Sequence, residues 1–246
     1  MPSITGSIVS VQVGGVVPLG PKGVPSGFIK RPVDEPIMAG RLGLAGDKQA
    51  DLRVHGGPDK AVYCYPVEHY ASWRMVMPHH AALLVPGGFG ENLTIEGLDE
   101  DDVAIGDIFR IGRARMQVTQ PRQPCFKLAL RFDDPQMVRA MVRSGFSGWY
   151  LRVIGSGVIG AGAPITLVDR PNPGWSITRF NHLINEGDAT REELVELADL
   201  PGLAHHWRNT ARASLTAASP HHVQSSPAEA PGPLPPDDAL RISSIS

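Results

Sequence analysis

Cysteine is scarce in this 246-residue chain. Only Cys64 and Cys125 are present, so at most one bridge can form and a disulfide scaffold is excluded. Long apolar runs are missing as well: no stretch approaches the roughly 20 apolar residues of a membrane span. The first residues lack the basic segment and apolar run of a secretory signal, and the expectation is a cytoplasmic protein that meets no membrane. Charge of one sign is also lacking. The formal net charge is -2, so the molecule as a whole has no field with which to attract nucleic acid or an anionic surface. In a reducing compartment each thiol is either a core residue or a reactive one, and the two must be read separately.

Locally the charge is less even. Between Arg110 and Arg152 there are nine Lys/Arg (Arg110, Arg113, Arg115, Arg122, Lys127, Arg131, Arg139, Arg143, Arg152) against two acids, Asp133 and Asp134. From Ile4 to about Val168, short β-branched runs alternate with Gly, Pro and Asp: Ile8–Val11, Ala61–Tyr65, Leu93–Ile95, Ile108–Ile111 and Ile165–Val168. Such runs predict strands of a closed or strongly curved sheet. Two inserted helices are expected, one opened by Pro66 with Val67, Tyr70 and Trp73, the other over Pro135–Val142 with Met137, Val138 and Met141. The fold class is therefore mostly β with inserted helices.

After the breaker Arg170–Gly174 the period changes. Ile177, Phe180, Leu183 and Ile184 recur at helical spacing behind a Ser176 cap. Thr190-Arg191-Glu192-Glu193 is a capping box that opens a second helix, ended by Pro201-Gly202. A third helix follows with Leu203, Trp207, Ala211 and Leu215 near one face. The expected division is a β domain over 1–170, a three-helix module over 171–213 and a disordered Ser/Ala/Pro-rich tail over 214–246. Three short helices also suit a helix-turn-helix DNA reader, but from Asn172 to Ala213 there are four Arg against six Asp/Glu, which opposes phosphate binding.

Three segments carry chemistry. In Pro121-Arg122-Gln123-Pro124-Cys125-Phe126-Lys127, two prolines hold the approach extended and helix formers follow, which places the thiol in the first turn of a short helix. A helix N-terminus, Arg122 and Lys127 all stabilise a thiolate there, and the same setting suits a soft metal or an anion. Cys64, inside the strand run Tyr63-Cys64-Tyr65, is expected to be structural. The second segment, Gly43 to Lys60, is dense in Gly and carries Asp47, Arg53, His55, Gly56, Gly57 and Lys60, which makes a loop able to approach a phosphate or oxyanion. It lacks the Gly-Lys-Ser/Thr of a Walker loop and the G-x-G-x-x-G of a dinucleotide fold. The third, Gly87-Gly88-Phe89-Gly90-Glu91-Asn92-Leu93, is a glycine turn running into a strand, with Glu91 and Asn92 able to bond a heterocycle. The pairs His79-His80, His205-His206 and His221-His222 lack partners at metal-ligand spacing and are expected on the surface.

Together, and in this order, Arg53-Val54-His55-Gly56-Gly57-Pro58-Asp59-Lys60-Ala61, Phe89-Gly90-Glu91-Asn92 and Pro121-Arg122-Gln123-Pro124-Cys125 resemble the MOSC domain, the C-terminal domain of molybdenum cofactor sulfurases. Ser147-Gly148-Trp149-Tyr150 and Gly160-Ala161-Gly162-Ala163 resemble its closing segment, and the helices after Trp175 resemble the three-helix accessory domain of the stand-alone YiiM-like branch. The resemblance implies a β-barrel that binds the molybdenum cofactor (molybdopterin). It implies Cys125 as the residue that engages molybdenum or carries sulfur, and Arg53, His55, Gly56, Gly57, Lys60, Glu91, Asn92 and Arg122 around the pterin and its phosphate.

It further implies reduction of N-hydroxylated bases of the 6-hydroxylaminopurine type, with His55 or Lys60 supplying protons. With no iron-sulfur cysteine set in the chain, electrons are expected from a separate transfer protein. The alternatives are a non-catalytic carrier of sulfur or cofactor and, from another class, a Cys/His hydrolase using Cys125 and His55. A small-molecule substrate is expected in each case, and the sequence leaves the oligomeric state open.

Overall fold

The computed structural model describes residues 4–50 and 56–217. In chain order the strands are β1 (Thr5–Val13), β2 (Val17–Leu19), β3 (Val24–Ser26), β4 (Arg31–Pro32), β5 (Ile37–Gly40), β6 (Gly43–Leu44), β7 (Val62–Pro66), β8 (Leu93–Glu96), β9 (Ile108–Ile111), β10 (Ala114–Pro121), β11 (Trp149–Gly155), β12 (Gly157–Ile159) and β13 (Pro164–Asp169). The α-helices are α1 (Glu68–Val76), α2 (Phe126–Phe132), α3 (Gln136–Ser144), α4 (Ile177–Glu186), α5 (Arg191–Asp199) and α6 (His205–Ala217).

Seven strands close into a barrel in the order β1, β13, β9, β10, β11, β7, β8 and back to β1. β1 serves both seams, pairing Thr5 with Thr166 of β13 and, beyond a register shift between Ile8 and Ser10, Val11 with Leu93 of β8. The barrel neighbours are antiparallel except β7 and β8, which run parallel with Cys64 opposite Leu93. A parallel pair needs a crossover, and α1 with the turn after it provides one. Every residue of β7 is buried because both of its faces are covered. Val62 and Cys64 face the barrel core with Leu93, Val118 and Trp149. Tyr63 and Tyr65 face outward into an aromatic layer with Tyr70, Trp73, Phe89, Phe132 and Met141, beneath α1, α2 and α3.

The predicted caps of the C-terminal helices are present. Ser176 Oγ accepts from the Arg179 N–H at 3.1 Å, and Thr190 and Glu193 form the reciprocal capping box. The helical module packs on the barrel: Ile177, Phe180, Leu197, Leu203 and Ala211 belong to the same apolar cluster as Phe109 of β9 and Val118 of β10. Helix α6 runs past the expected limit at 213 to Ala217, because Leu215 still packs on the core. The remainder of the expected tail lies outside the described residues. Among the described residues no helix is long and apolar enough to cross a membrane.

Candidate functional site around Cys125

At one end of the barrel β8 and β11 begin and β10 finishes, with the middle of β7 between them. Backbone segments from these four strands meet there with the stretches Ser26–Lys30 and Asp47–Ala50 to line a cleft. Cys125 and Lys60 both line it. So do Lys30, Arg122 and Lys127, which among the described residues makes four cationic side chains against one carboxylate, Asp47. Phe28, Tyr63, Phe89 and Tyr150 supply aromatic walls.

Cys125 sits immediately before the first turn of α2 rather than within it. It is the N-cap of α2, with an extended backbone (φ -126°, ψ 174°), and its carbonyl accepts the Leu128 N–H at 2.9 Å. Its side chain is half-buried, and it is close enough to Lys60, Arg122 and Tyr150 for a thiolate charge to act on all three. Cys64 is fully buried, and burial pushes its thiol far above the ordinary range, as expected of a structural cysteine. The two thiols are free of each other.

Arg122 is the most committed cation. It is buried, its backbone N–H donates to Gly148 O at 3.2 Å, and its guanidinium lies 5.3 Å from the Tyr63 ring centre and 5.5 Å from that of Phe28. Nη1 donates to the Met141 sulfur at 3.1 Å, a weak acceptor. Among the described residues no carboxylate pairs with it. A buried guanidinium whose partners are π-faces, a thioether and the Tyr150 hydroxyl has capacity for an anion. Lys60 is carried by a 3-10 turn, Pro58–Lys60, that starts at Gly57 with φ 88°, a conformation other residues rarely adopt. Burial lowers Lys60 below the ordinary lysine range, against an upward pull from Cys125 and Asp59. Its Nζ stands 5.7 Å from the Tyr150 ring centre.

Asn92 lines the cleft and also ties it together. Its Oδ1 accepts the Tyr63 N–H at 3.1 Å, and its Nδ2 donates to Gln12 O at 3.2 Å and to Asp47 Oδ2 at 3.0 Å. Asp47 in turn accepts the Gly14 N–H at 2.9 Å and pairs with buried Lys30. Burial draws Lys30 downward while Asp47 pulls it up. Glu91 is placed differently from the expectation. It does not line the described cleft but points inward, fully buried, and accepts from Tyr70 Oη at 2.5 Å, Gly87 N at 2.6 Å, Thr94 Oγ1 at 2.8 Å and Phe89 N at 3.2 Å. There its carboxylate holds the glycine turn through the Gly87 and Phe89 amides. Gly56 and Gly57 shape the turn before Lys60 without lining the cleft. Arg53 and His55 lie outside the described residues, between Ala50, which lines the cleft, and Gly56.

The sequence reading missed Lys30 and the aromatic walls, which arrive from segments with no shared motif. Another correction concerns His79-His80. His80 is not a plain surface residue: its side chain is 10% exposed and its Nε2 is 3.0 Å from Asp134 Oδ2.

Comparison with known proteins follows this geometry. The MOSC domain model matches residues 51–166. Protein YiiM of Escherichia coli (strain K12) is 48% identical over 150 residues, spanning 61% of this chain and 67% of that protein. A protein of Gibberella moniliformis named reductase is 35% identical over 179 residues, 72% of this chain and 32% of its own length. The crystal structure of YiiM from Geobacillus stearothermophilus superposes with a TM-score of 0.72 at 37% identity, covering 85% of this chain and 99% of that one. The barrel, the three C-terminal helices and these relatives agree, and the chain belongs to the MOSC domain family, in its YiiM-like branch.

Proposed function

We propose that this protein binds the molybdenum cofactor in the Cys125 cleft and reduces N-hydroxylated bases there. The observation that carries the reading is the meeting of a half-buried thiol with four cations in one aromatic-walled cleft, where Arg122 is buried without a carboxylate partner among the described residues. The residues fit the group. Thiolate sulfur suits a soft, high-valent centre, buried cations suit a phosphate, and flat rings suit a pterin or a base. Association of MOSC domains with this cofactor and the reductase name of the fungal relative support the same reading.

In this scheme Cys125 holds the metal, and Arg122 with Lys127 and Lys30 binds the phosphate. The chemistry the cofactor supplies when bound is two-electron removal of oxygen from an N–O bond. Lys60 holds a proton at Nζ beside Cys125, and its burial makes it a readier donor than a surface lysine. His55 is the second candidate for that role. Two cysteines cannot build an iron-sulfur site, so electrons come from a separate protein.

The test is metal and pterin analysis of protein purified from a host that makes the cofactor. Wild type is expected to retain both and Cys125→Ser to lose molybdenum. Equal, negligible retention by the two proteins refutes the reading. Stable persulfide on Cys125, without reductase activity in a complete electron chain, moves the assignment to a sulfur carrier.

A further inference from the structure

Away from the cleft, the turn Pro78–His80 meets the corner between α2 and α3. Asp134 Oδ2 lies 3.0 Å from His80 Nε2 and 3.7 Å from His79 Nε2, and the two imidazole centres are 4.1 Å apart. None of the three residues lines the cleft. The carboxylate is aimed, because its other oxygen accepts the Gln136 N–H at 2.8 Å. His80 is braced edge-on against the Phe132 ring at 5.3 Å.

A histidine–carboxylate hydrogen bond requires one imidazole. It does not require a second, 61% exposed, to turn its Nε2 toward the same oxygen at 3.7 Å. A tetrahedral metal does. With bonds of about 2.0–2.2 Å its donor atoms are separated by roughly 3.3–3.5 Å, and the two observed separations bracket that value. We propose that His79 Nε2, His80 Nε2 and Asp134 Oδ2 form a binding site for one divalent transition-metal ion, zinc by donor type, with water in the fourth position. Such an ion clips the 78–80 turn to the end of α2, the helix whose other end is Cys125.

Untagged full-length protein is titrated calorimetrically with Zn2+, and Co2+ serves as an absorbing probe. Wild type is expected to bind one ion at this site, with Co2+ bands of nitrogen and oxygen ligation and no thiolate charge-transfer band. His80→Ala and Asp134→Asn should lose this binding. Because His79 is exposed, His79→Ala leaves the fold intact and is expected to weaken the ion at least tenfold. Cys125→Ser and the double variant His205→Ala/His206→Ala should leave affinity unchanged. Wild-type affinity in His79→Ala, or loss of the ion in Cys125→Ser, overturns the proposal.

Discussion

At the scale of single residues, burial separates the side chains that serve a ligand from those that serve the fold. Lys60 is held below the ordinary lysine value of 10.5. Between the lowered value and 10.5 the unfolded chain binds more protons than the folded one, so stability attributable to this residue rises with pH across that window. Lys60→Met keeps the stem and removes the charge. It is expected to raise the urea midpoint at neutral pH and to flatten the alkaline rise. A lower midpoint at neutral pH would contradict this. Glu91 predicts the opposite balance. Its carboxylate accepts four hydrogen bonds in a buried pocket, so Glu91→Ala is expected to cost about 3 kcal/mol or more in urea unfolding. Wild-type stability combined with loss of cofactor would return Glu91 to the binding set.

At the scale of elements, Asp59 joins two parts of the chain that no local pattern connects. Its Oδ1 accepts from Arg152 Nε at 2.9 Å and Nη2 at 2.6 Å, and its Oδ2 accepts the His205 N–H at 3.0 Å at the start of α6. Burial pushes its carboxyl upward, but the His205 amide and Arg152 together outweigh this and hold it below the ordinary range. A depressed carboxyl contributes stability above its unfolded value of about 3.9 and loses it as pH falls through the folded value. Asp59→Asn should therefore cost about 1–2 kcal/mol near neutrality, and the difference from wild type should shrink on acidification. Paired thermal melts across that range check it. Strands such as β7 were legible because β-branched and aromatic residues run without interruption, and the helix caps because they obey local rules. β10 was not, since Arg115 and Gln117 break its apolar run while partners on β9 and β11 hold it in the sheet. In the cleft, the Pro-Arg-Gln-Pro-Cys motif announced Cys125 and Arg122. Lys30 gave no signal, because its burial depends on Asp47 from another segment.

At the scale of the whole molecule, the shared core links the helices to the cleft. Thr119, on the strand that delivers Arg122 and Cys125, accepts the Ala204 N–H at 3.0 Å and donates its hydroxyl to Asp59 O at 2.6 Å. Phe180 is 1% exposed within the cluster that includes Val118 of the same strand. The helices therefore act as a brace on β10, and removing their main side chain should be felt by the entire barrel. Phe180→Ala is expected to cost about 3–5 kcal/mol while leaving a single cooperative transition. Unfolding followed by far-ultraviolet dichroism and by aromatic fluorescence should then shift together. Two separated transitions, with the barrel's midpoint unmoved, would show instead that the helices form an independent unit and that the cleft owes them nothing.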